Sequence, residues 1–317
     1  MDKLRIFIFI LSLLSFSPAV HAFWVWTPET NRWINPKYNV KENPKLQLDY
    51  ALEFYNSKEY KKASEEFRKL IKHYPKAREA AEAQYYLGVV LTEEGTLFKA
   101  FKEYQLVIDK YPFSERIPEI VKKQYEIGNM FLEGKGKRSE VLQAVVGGDY
   151  DIIEVFRTVI RNAPYGEYAA PSQYKIGLYL LEKRLYQEAR DEFEKTINDY
   201  PNTEWAKAAS FQIAMSDSKR SSDPQYDQQV TKTAVEEFKE FAQKYPDAEL
   251  SDNAQKQIQS LREKEAENNY VVAEFYEKHK KFDAAKIYYS SIVEDYRDTE
   301  WAKKALEKIQ KINSKVK

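Results

Sequence analysis

The chain has 317 residues, in which 50 lysine and arginine residues balance 50 aspartate and glutamate residues, and it contains no cysteine. A chain without net charge has no general electrostatic attraction for nucleic acid or anionic lipid. The lack of cysteine excludes disulfides, thiolate metal sites, cysteine nucleophiles and the acylation site of a lipoprotein from this sequence.

Residues 1–22 are predicted to be a secretory signal peptide. Lys3 and Arg5 precede an apolar run over 6–16, and small residues end the segment at Ala22. The apolar run is too short to span a bilayer. We expect cleavage after Ala22 and an exported, periplasmic product.

Residues 23–43 form a tryptophan-rich segment without a helical period. Trp24, Trp26 and Trp33 lie here, three of the five tryptophans in the chain. They are candidates for folding back to cap the first helical unit. The alternative is a docking arm for a partner or a membrane surface. The sequence does not distinguish between these two roles.

From residue 44 onward, one amphipathic helix pattern occurs six times. A small or branched residue is followed four positions later by an aromatic, and then by mostly apolar residues three and four positions further on. These steps place the side chains on one helical face, and a proline usually stops the helix. Pro164 and Pro201, which close two successive copies, are 37 residues apart. The aromatic positions are Phe67, Tyr104, Phe156, Phe193, Phe238 and Tyr289.

Each of these helices has a partner upstream. The sequences QYYLG at 84–88, QYEIG at 124–128 and QYKIG at 173–177 are nearly identical. A glycine in the middle of a helix costs stability, so its recurrence predicts close helix approach. The repeating unit is therefore predicted to be a helical hairpin.

The spacing within this unit resembles that of the tetratricopeptide repeat. Leu87, Gly88, Ala100, Tyr104 and Pro112 fit the family pattern at every step. The resemblance covers residues 44–317. It implies an all-α, right-handed superhelical solenoid of about six helical hairpins with a C-terminal capping helix. A second full match consists of Ile176, Gly177, Ala189, Phe193 and Pro201.

The regular spacing is interrupted in three places. Insertions are predicted near 133–149 and 218–227, and a long helix is predicted over about 250–278. These departures are the predicted sites of individual character in the array.

The sequence TEWAK occurs twice, at 203–207 and 299–303. It follows the end of one hairpin, where a threonine hydroxyl can cap the next helix and glutamate favours the helix dipole. Trp205 and Trp301 are expected to close the joint against the previous hairpin. Threonine, glutamate and tryptophan alone form no nucleophile and base pair, so a catalytic interpretation is disfavoured.

A peptide-binding groove is predicted along the first helices of the hairpins, on the concave surface of such arrays. Aromatic anchors there would hold an extended or helical peptide. The alternative is that the same rings fill space between neighbouring hairpins. The candidate residues are Leu48, Tyr55, Tyr85, Val89, Tyr125, Tyr174, Leu178, Phe211 and Tyr270.

The sequence gives no support for an enzyme. His73 and His279, the two histidines after the leader, lie far apart and have no metal-ligand spacing. A hydrolase that uses paired carboxylates is the enzymatic alternative, but no carboxylate is set apart by its surroundings. No cofactor, metal, nucleic acid or small-molecule substrate is expected.

The last hundred residues resemble BamD, a family of outer-membrane assembly factors also called YfiO. The similarity lies in the insertion at 223–225, the long helix that leads into 272–276, and the final turn at 295–296. The resemblance implies a periplasmic scaffold that binds a BamA-like barrel insertase and unfolded outer-membrane clients. It also implies a peripheral position at the inner face of the outer membrane.

The resulting hypothesis is a non-catalytic adaptor that assists outer-membrane protein assembly through protein binding. The alternative is a periplasmic coordinator of Tol-Pal type or a scaffold for polysaccharide export, since those repeat proteins carry the same hairpin. Such proteins would not require the long helix over 250–278.

Overall fold

The structure is a computed structural model that describes residues 24–27, 32–35, 39–135, 150–220, 228–246 and 249–315. The predicted signal peptide over 1–22 lies outside the described residues. So do most of the two predicted insertions, at 136–149 and 221–227.

Thirteen helices occupy most of the described residues. The first seven are α1 (Pro44–Asn56), α2 (Tyr60–His73), α3 (Arg78–Glu93), α4 (Leu97–Lys110), α5 (Ile117–Leu132), α6 (Tyr150–Asn162) and α7 (Ala169–Glu182). The remaining six are α8 (Tyr186–Asp199), α9 (Glu204–Arg220), α10 (Gln228–Lys244), α11 (Glu249–Lys278), α12 (Phe282–Asp295) and α13 (Glu300–Lys315). Read in pairs, they give six hairpins followed by α13.

Two short strands precede the helices. β1 (Val25–Thr27) and β2 (Arg32–Ile34) pair antiparallel, with Trp26 opposite Trp33. They account for six residues in the tryptophan-rich segment, where the sequence lacks a helical period.

From Pro44 onward, every element of the described residues is a helix. The prediction of an all-α repeat fold is confirmed for this part of the chain.

One compact unit contains α1, α2, α3 and the second part of α4. Its core is formed by fully buried residues such as Ala51, Phe67 and Leu70. Gly88 on α3 faces Tyr104 on α4, and a Cβ atom added at Gly88 would lie 2.5 Å from the tyrosine ring. The small residue at this position thus allows the two helices to approach closely.

The other compact unit contains the first residues of α4 and all helices from α5 to α13. Each helix from α5 onward packs on the next one in the sequence. A Cβ added at Gly128 would lie 2.7 Å from Phe156, and one at Gly177 would lie 2.5 Å from Phe193. The close approach that the glycines predict is confirmed in these hairpins as well.

The first helix of five hairpins is followed by a residue in the left-handed region. The φ angles lie between 58° and 73° at Lys58, Gly95, Gly134, Arg184 and Lys280. A left-handed residue just after a helix ends it and turns the chain back. Three of these residues are lysine or arginine, which rarely adopt this conformation. The residue types therefore did not predict the repeated turn.

Helix α11 is 30 residues long and serves two hairpins. Ala254, Ile258 and Leu261 in its first half belong to the core formed with α9 and α10. Tyr270 and Ala273 in its second half belong to the core formed with α12 and α13. The two halves of α11 therefore pack in two different cores.

Candidate protein-interaction site

The aromatic residue of each QY-type motif lies between two other rings. In the fourth hairpin, the ring centroid of Tyr174 on α7 lies 5.6 Å from that of Phe193 on α8 and 5.4 Å from that of Trp205 on α9. Phe193 belongs to the same hairpin, whereas Trp205 is in the first turn of the next one. The trio therefore joins successive hairpins.

The same trio recurs in the third and sixth hairpins. Tyr125 contacts Phe156 and Tyr168, and Tyr270 contacts Tyr289 and Trp301. The expected closure of the joint by Trp205 and Trp301 is confirmed by these contacts, which supports a structural role for TEWAK. Phe211 contacts Phe238 and Phe241, and Leu250 packs against the same cluster.

The capping predicted for TEWAK is also present in its first copy. The Thr203 hydroxyl oxygen accepts a hydrogen bond from the backbone N–H of Ala206 at 3.2 Å and donates to the Tyr200 carbonyl at 2.8 Å. In the second copy, the Thr299 hydroxyl donates to the Tyr296 carbonyl at 2.7 Å. The Thr203 hydroxyl thus ties the first turn of α9 to the end of α8, and the Thr299 hydroxyl contacts the end of α12 just before α13 begins.

The predicted groove residues divide into two groups by burial. Tyr85, Tyr174, Phe211 and Tyr270 are buried, with between 5% and 9% of their surface exposed. Leu48, Tyr55, Val89, Tyr125 and Leu178 are half-buried. The burial of the first group agrees with the interpretation that these rings fill space between hairpins. The assignment of a peptide-binding groove stays a prediction.

A buried amide and a carboxylate pair the two helices of several hairpins. The Gln47 amide donates to the Glu66 carboxylate at 2.8 Å, and the Gln173 amide donates to the Glu192 carboxylate at 2.5 Å. A third pair consists of Gln84 and Glu103. Each pair satisfies polar groups inside the array, which prevents the cost of leaving them unpaired.

In the fifth hairpin, an ion pair with an arginine of the preceding hairpin takes the place of this amide–carboxylate hydrogen bond. Arg190 on α8 pairs with Asp217 on α9 at 2.8 Å and with Glu237 on α10 at 2.7 Å. Burial raises the pKa of the Glu237 carboxyl, although Arg190 pulls it down. The equivalent of the glutamine is Ser210, which is too short to reach Glu237. A cleft of about 250 Å³ is lined by Ser210, Glu237 and residues around them.

Exposed apolar residues lie on the second half of α11. Val271 and Phe275, which we call the C-terminal apolar patch, are each 57% exposed. Their equivalents on α3 are Tyr86, which stacks on Phe67 of the preceding hairpin at 5.6 Å, and Val90, which is fully buried. The preceding hairpin packs against the first half of α11. It therefore does not cover Val271 and Phe275 in the second half.

The patch borders on a basic turn. The His279 ring lies 4.2 Å from the Phe275 ring, and Lys278, Lys280 and Lys281 are all exposed beside it. An apolar surface edged by cations suits a partner segment with apolar anchors and acidic flanks. Sequence reasoning missed this site because it followed the buried residue of each motif rather than its neighbours.

The described residues bear on two possibilities, a metal site and a membrane-spanning helix. Within the described ranges, no group of three or more histidine, cysteine, aspartate or glutamate residues could hold a metal ion. Among the helices that the structure describes, none is both long enough and apolar enough to cross a membrane. His73 and His279 are both exposed, at or just beyond the ends of their helices.

Helical hairpins in which a small residue faces an aromatic ring, joined by repeated junctions, define a tetratricopeptide repeat protein. A tetratricopeptide repeat family model matches residues 48–115. The YfiO family model, described as outer membrane lipoprotein, matches residues 153–317, more than half of the chain. The chain belongs to the YfiO family.

The chain is distantly similar to a known outer-membrane assembly factor. The chain is 24% identical over 156 residues to the outer membrane protein assembly factor BamD of Caulobacter vibrioides. The match covers 49% of this chain and 51% of that protein, so the chain spans about half the length of the relative.

Two solved structures of repeat proteins are also similar. The C-terminal part of a repeat protein from Cytophaga hutchinsonii gives a TM-score of 0.36 at 17% identity, covering 84% of this chain and 88% of that one. A tetratricopeptide repeat protein from Parabacteroides merdae gives 0.35 at 11% identity, covering 85% and 98%. The assignment of the fold rests on the helix pairs and the family models.

Proposed function

We propose that this protein is a non-catalytic periplasmic adaptor of BamD type that assists outer-membrane protein assembly by binding other proteins. Membership of the YfiO family and the similarity to the Caulobacter assembly factor support this role. The observation that carries the proposal is the C-terminal apolar patch, which lies within the matched residues 153–317. Exposed aromatic and aliphatic residues at one place are typical of interface anchors.

The proposed partner at this patch is a BamA-like barrel insertase. Val271 and Phe275 would serve as apolar anchors, and the basic turn over 278–281 would meet acidic residues of the partner. Charge complementarity of this kind sets orientation and association rate more than affinity. Most of the binding free energy would therefore come from burial of the two apolar side chains.

Unfolded outer-membrane clients are proposed to bind the half-buried members of the predicted groove. Tyr125 and Leu178 keep part of their surface available, whereas Tyr174 between them in the sequence is buried against its neighbours. The buried rings would then hold the exposed edges in place rather than contact the client. Tyr125→Ala should weaken client binding while circular dichroism stays unchanged.

A pull-down from envelope extracts tests the adaptor role. For the variant Val271→Asp with Phe275→Asp, the amount of BamA-type barrel protein recovered should fall by more than about tenfold. Each introduced carboxylate would have to lose its hydration at an apolar contact, which costs binding free energy. The matched control is Leu185→Asp. It also replaces an exposed apolar residue, but at a helix N-cap where aspartate is favoured.

The outcomes separate the candidate pathways. Recovery of the barrel protein with wild type and Leu185→Asp, but not with the patch variant, supports the proposal. Recovery of Tol-Pal or glycan-export components alone would contradict it and favour the coordinator or export scaffold. Equal recovery with all three proteins would remove the patch from the interface.

A further inference from the structure

The three tryptophans of the N-terminal hairpin lie on one face of it. Trp24 and Trp26 are two residues apart along the β1 side, so they point to the same side of an extended chain. Trp33 is the cross-strand partner of Trp26, which places it on that side as well. We call these three residues the indole face.

The hairpin is stabilised by its own tryptophan pair. A two-stranded ribbon is marginally stable by itself in water. The Trp26 and Trp33 rings meet edge to face, with centroids 5.7 Å apart and planes at 60°, the arrangement that aromatic pairs prefer. The pair thus holds the strands together, and Trp24 extends the same apolar face beyond it.

Much of the indole face is exposed to solvent. Trp24 is 57% exposed, Trp26 is 41% exposed and Trp33 is 62% exposed. None of them belongs to the core cluster of α1, α2 and α3. The exposure of the three side chains motivates the docking alternative.

The face consists of indole rings. With up to roughly 250 Å² for one tryptophan side chain, the exposed fractions leave about 400 Å² of indole surface. A patch of this size, made only of indoles, is the kind of surface that rests at the boundary between headgroups and acyl chains, where tryptophan is enriched.

We propose that the indole face binds the interface of a phospholipid bilayer and holds the N-terminal end of the described chain at the membrane. The family description, outer membrane lipoprotein, names a membrane as the setting. The indole rings would insert among the headgroups, and their N–H groups would stay hydrogen-bonded at the polar boundary. The proposal does not depend on the adaptor function.

Flotation with unilamellar vesicles of phosphatidylethanolamine and phosphatidylglycerol tests this proposal. Wild-type protein should float with the vesicles, and Trp24→Ser with Trp26→Ser and Trp33→Ser should reduce the bound fraction by about tenfold or more. Because the contact is apolar and the chain has no net charge, raised salt should leave binding unchanged. Release by salt would overturn the proposed mode.

Two further variants keep the test independent of hairpin folding and of the apolar patch. Trp24→Ser leaves the Trp26 and Trp33 pair intact and should still lower vesicle binding, whereas Val271→Asp with Phe275→Asp should float like wild type. Tryptophan emission should shift to shorter wavelength on addition of vesicles, and the shift should be absent in the triple variant.

Several outcomes would overturn the proposal. They are failure of the wild-type protein to float, flotation of the triple variant at the wild-type level, and capture of an envelope protein through the indole face without vesicle binding. The last outcome would assign the face to a protein partner.

Discussion

At the scale of single residues, the fold depends on glycines that face aromatic rings. Alanine normally stabilises a helix relative to glycine by about 0.5–1 kcal/mol. At Gly177 the added Cβ would lie 2.5 Å from the Phe193 ring, which itself is fully buried and cannot move freely. Gly177→Ala should therefore lower the free energy of unfolding by about 1–3 kcal/mol, measured by urea denaturation.

The double variant Gly177→Ala with Phe193→Leu is the control for this prediction. If the clash is the cause, the smaller side chain at Phe193 should make the alanine cost less than it does in the wild-type background. A Gly177→Ala protein as stable as wild type would show that the helices can separate without cost.

Residue patterns predicted the glycine contacts but not the burial of the motif tyrosines. The spacing from Gly177 to Phe193 is enough to place the two on facing helices. Whether Tyr174 lines a groove or a joint depends on Trp205, a residue of the next hairpin, and no periodicity within one hairpin contains that information. The left-handed turn at Lys280 was missed because lysine carries no turn signal.

Glu265 should make stability depend on pH. It is only 8% exposed, and burial raises the pKa of its carboxyl above the usual 4.5 although Lys232 and Arg262 lower it. The folded state then keeps the proton to higher pH than the unfolded state, so the free energy of unfolding falls as pH rises above about 4.5. Glu265→Gln should remove this loss and gain stability over wild type toward neutral pH.

Urea midpoints measured across this pH range test the prediction. Glu267→Gln, an exposed change on the same helix, is the matched control and should follow the wild-type curve. A constant difference between Glu265→Gln and wild type at every pH would mean that the carboxyl does not titrate in this range.

At the scale of elements, the pairing of α9 with α10 lacks the amide that joins other hairpins. Gln84 pairs with Glu103, whereas Ser210 at the equivalent place leaves Glu237 to Arg190, with one buried carboxylate oxygen unpaired. Ser210→Gln should fill part of the adjoining cleft and donate to that oxygen. We expect a gain of about 0.5–1.5 kcal/mol in the free energy of unfolding.

Ser210→Ala is the control for this exchange, because it removes the hydroxyl without adding an amide. It should not reproduce the gain in thermal or urea unfolding. A Ser210→Gln protein less stable than both others would show that the cleft does not accept the side chain.

The long helix α11 shows what an element pattern leaves out. The apolar period predicts a helix over about 250–278, and the structure has α11 at Glu249–Lys278. The exposure of Phe275 follows from a different fact, that the preceding hairpin packs on the first half of the helix. Sequence spacing gives the face of a helix but not the neighbour that covers it.

At the scale of the whole molecule, repeat arrays are stabilised by contacts between neighbours, so damage should stay local. Tyr289 on α12 is fully buried, packs on Tyr270 at 5.3 Å and donates to Glu277 at 3.0 Å. Tyr289→Ala should remove about 3–5 kcal/mol from the last hairpin. Native-state hydrogen exchange should then show faster exchange in the second half of α11, α12 and α13.

The same experiment should show unchanged protection in α1, α2 and α3, whose core is built around Phe67. Phe67→Ala is the converse control and should accelerate exchange in those three helices while sparing α12 and α13. Uniform acceleration over all thirteen described helices in either variant would mean that the chain unfolds as one cooperative unit. Contacts between neighbouring hairpins alone would then not account for its stability, since the substitution would also destabilise a distant core.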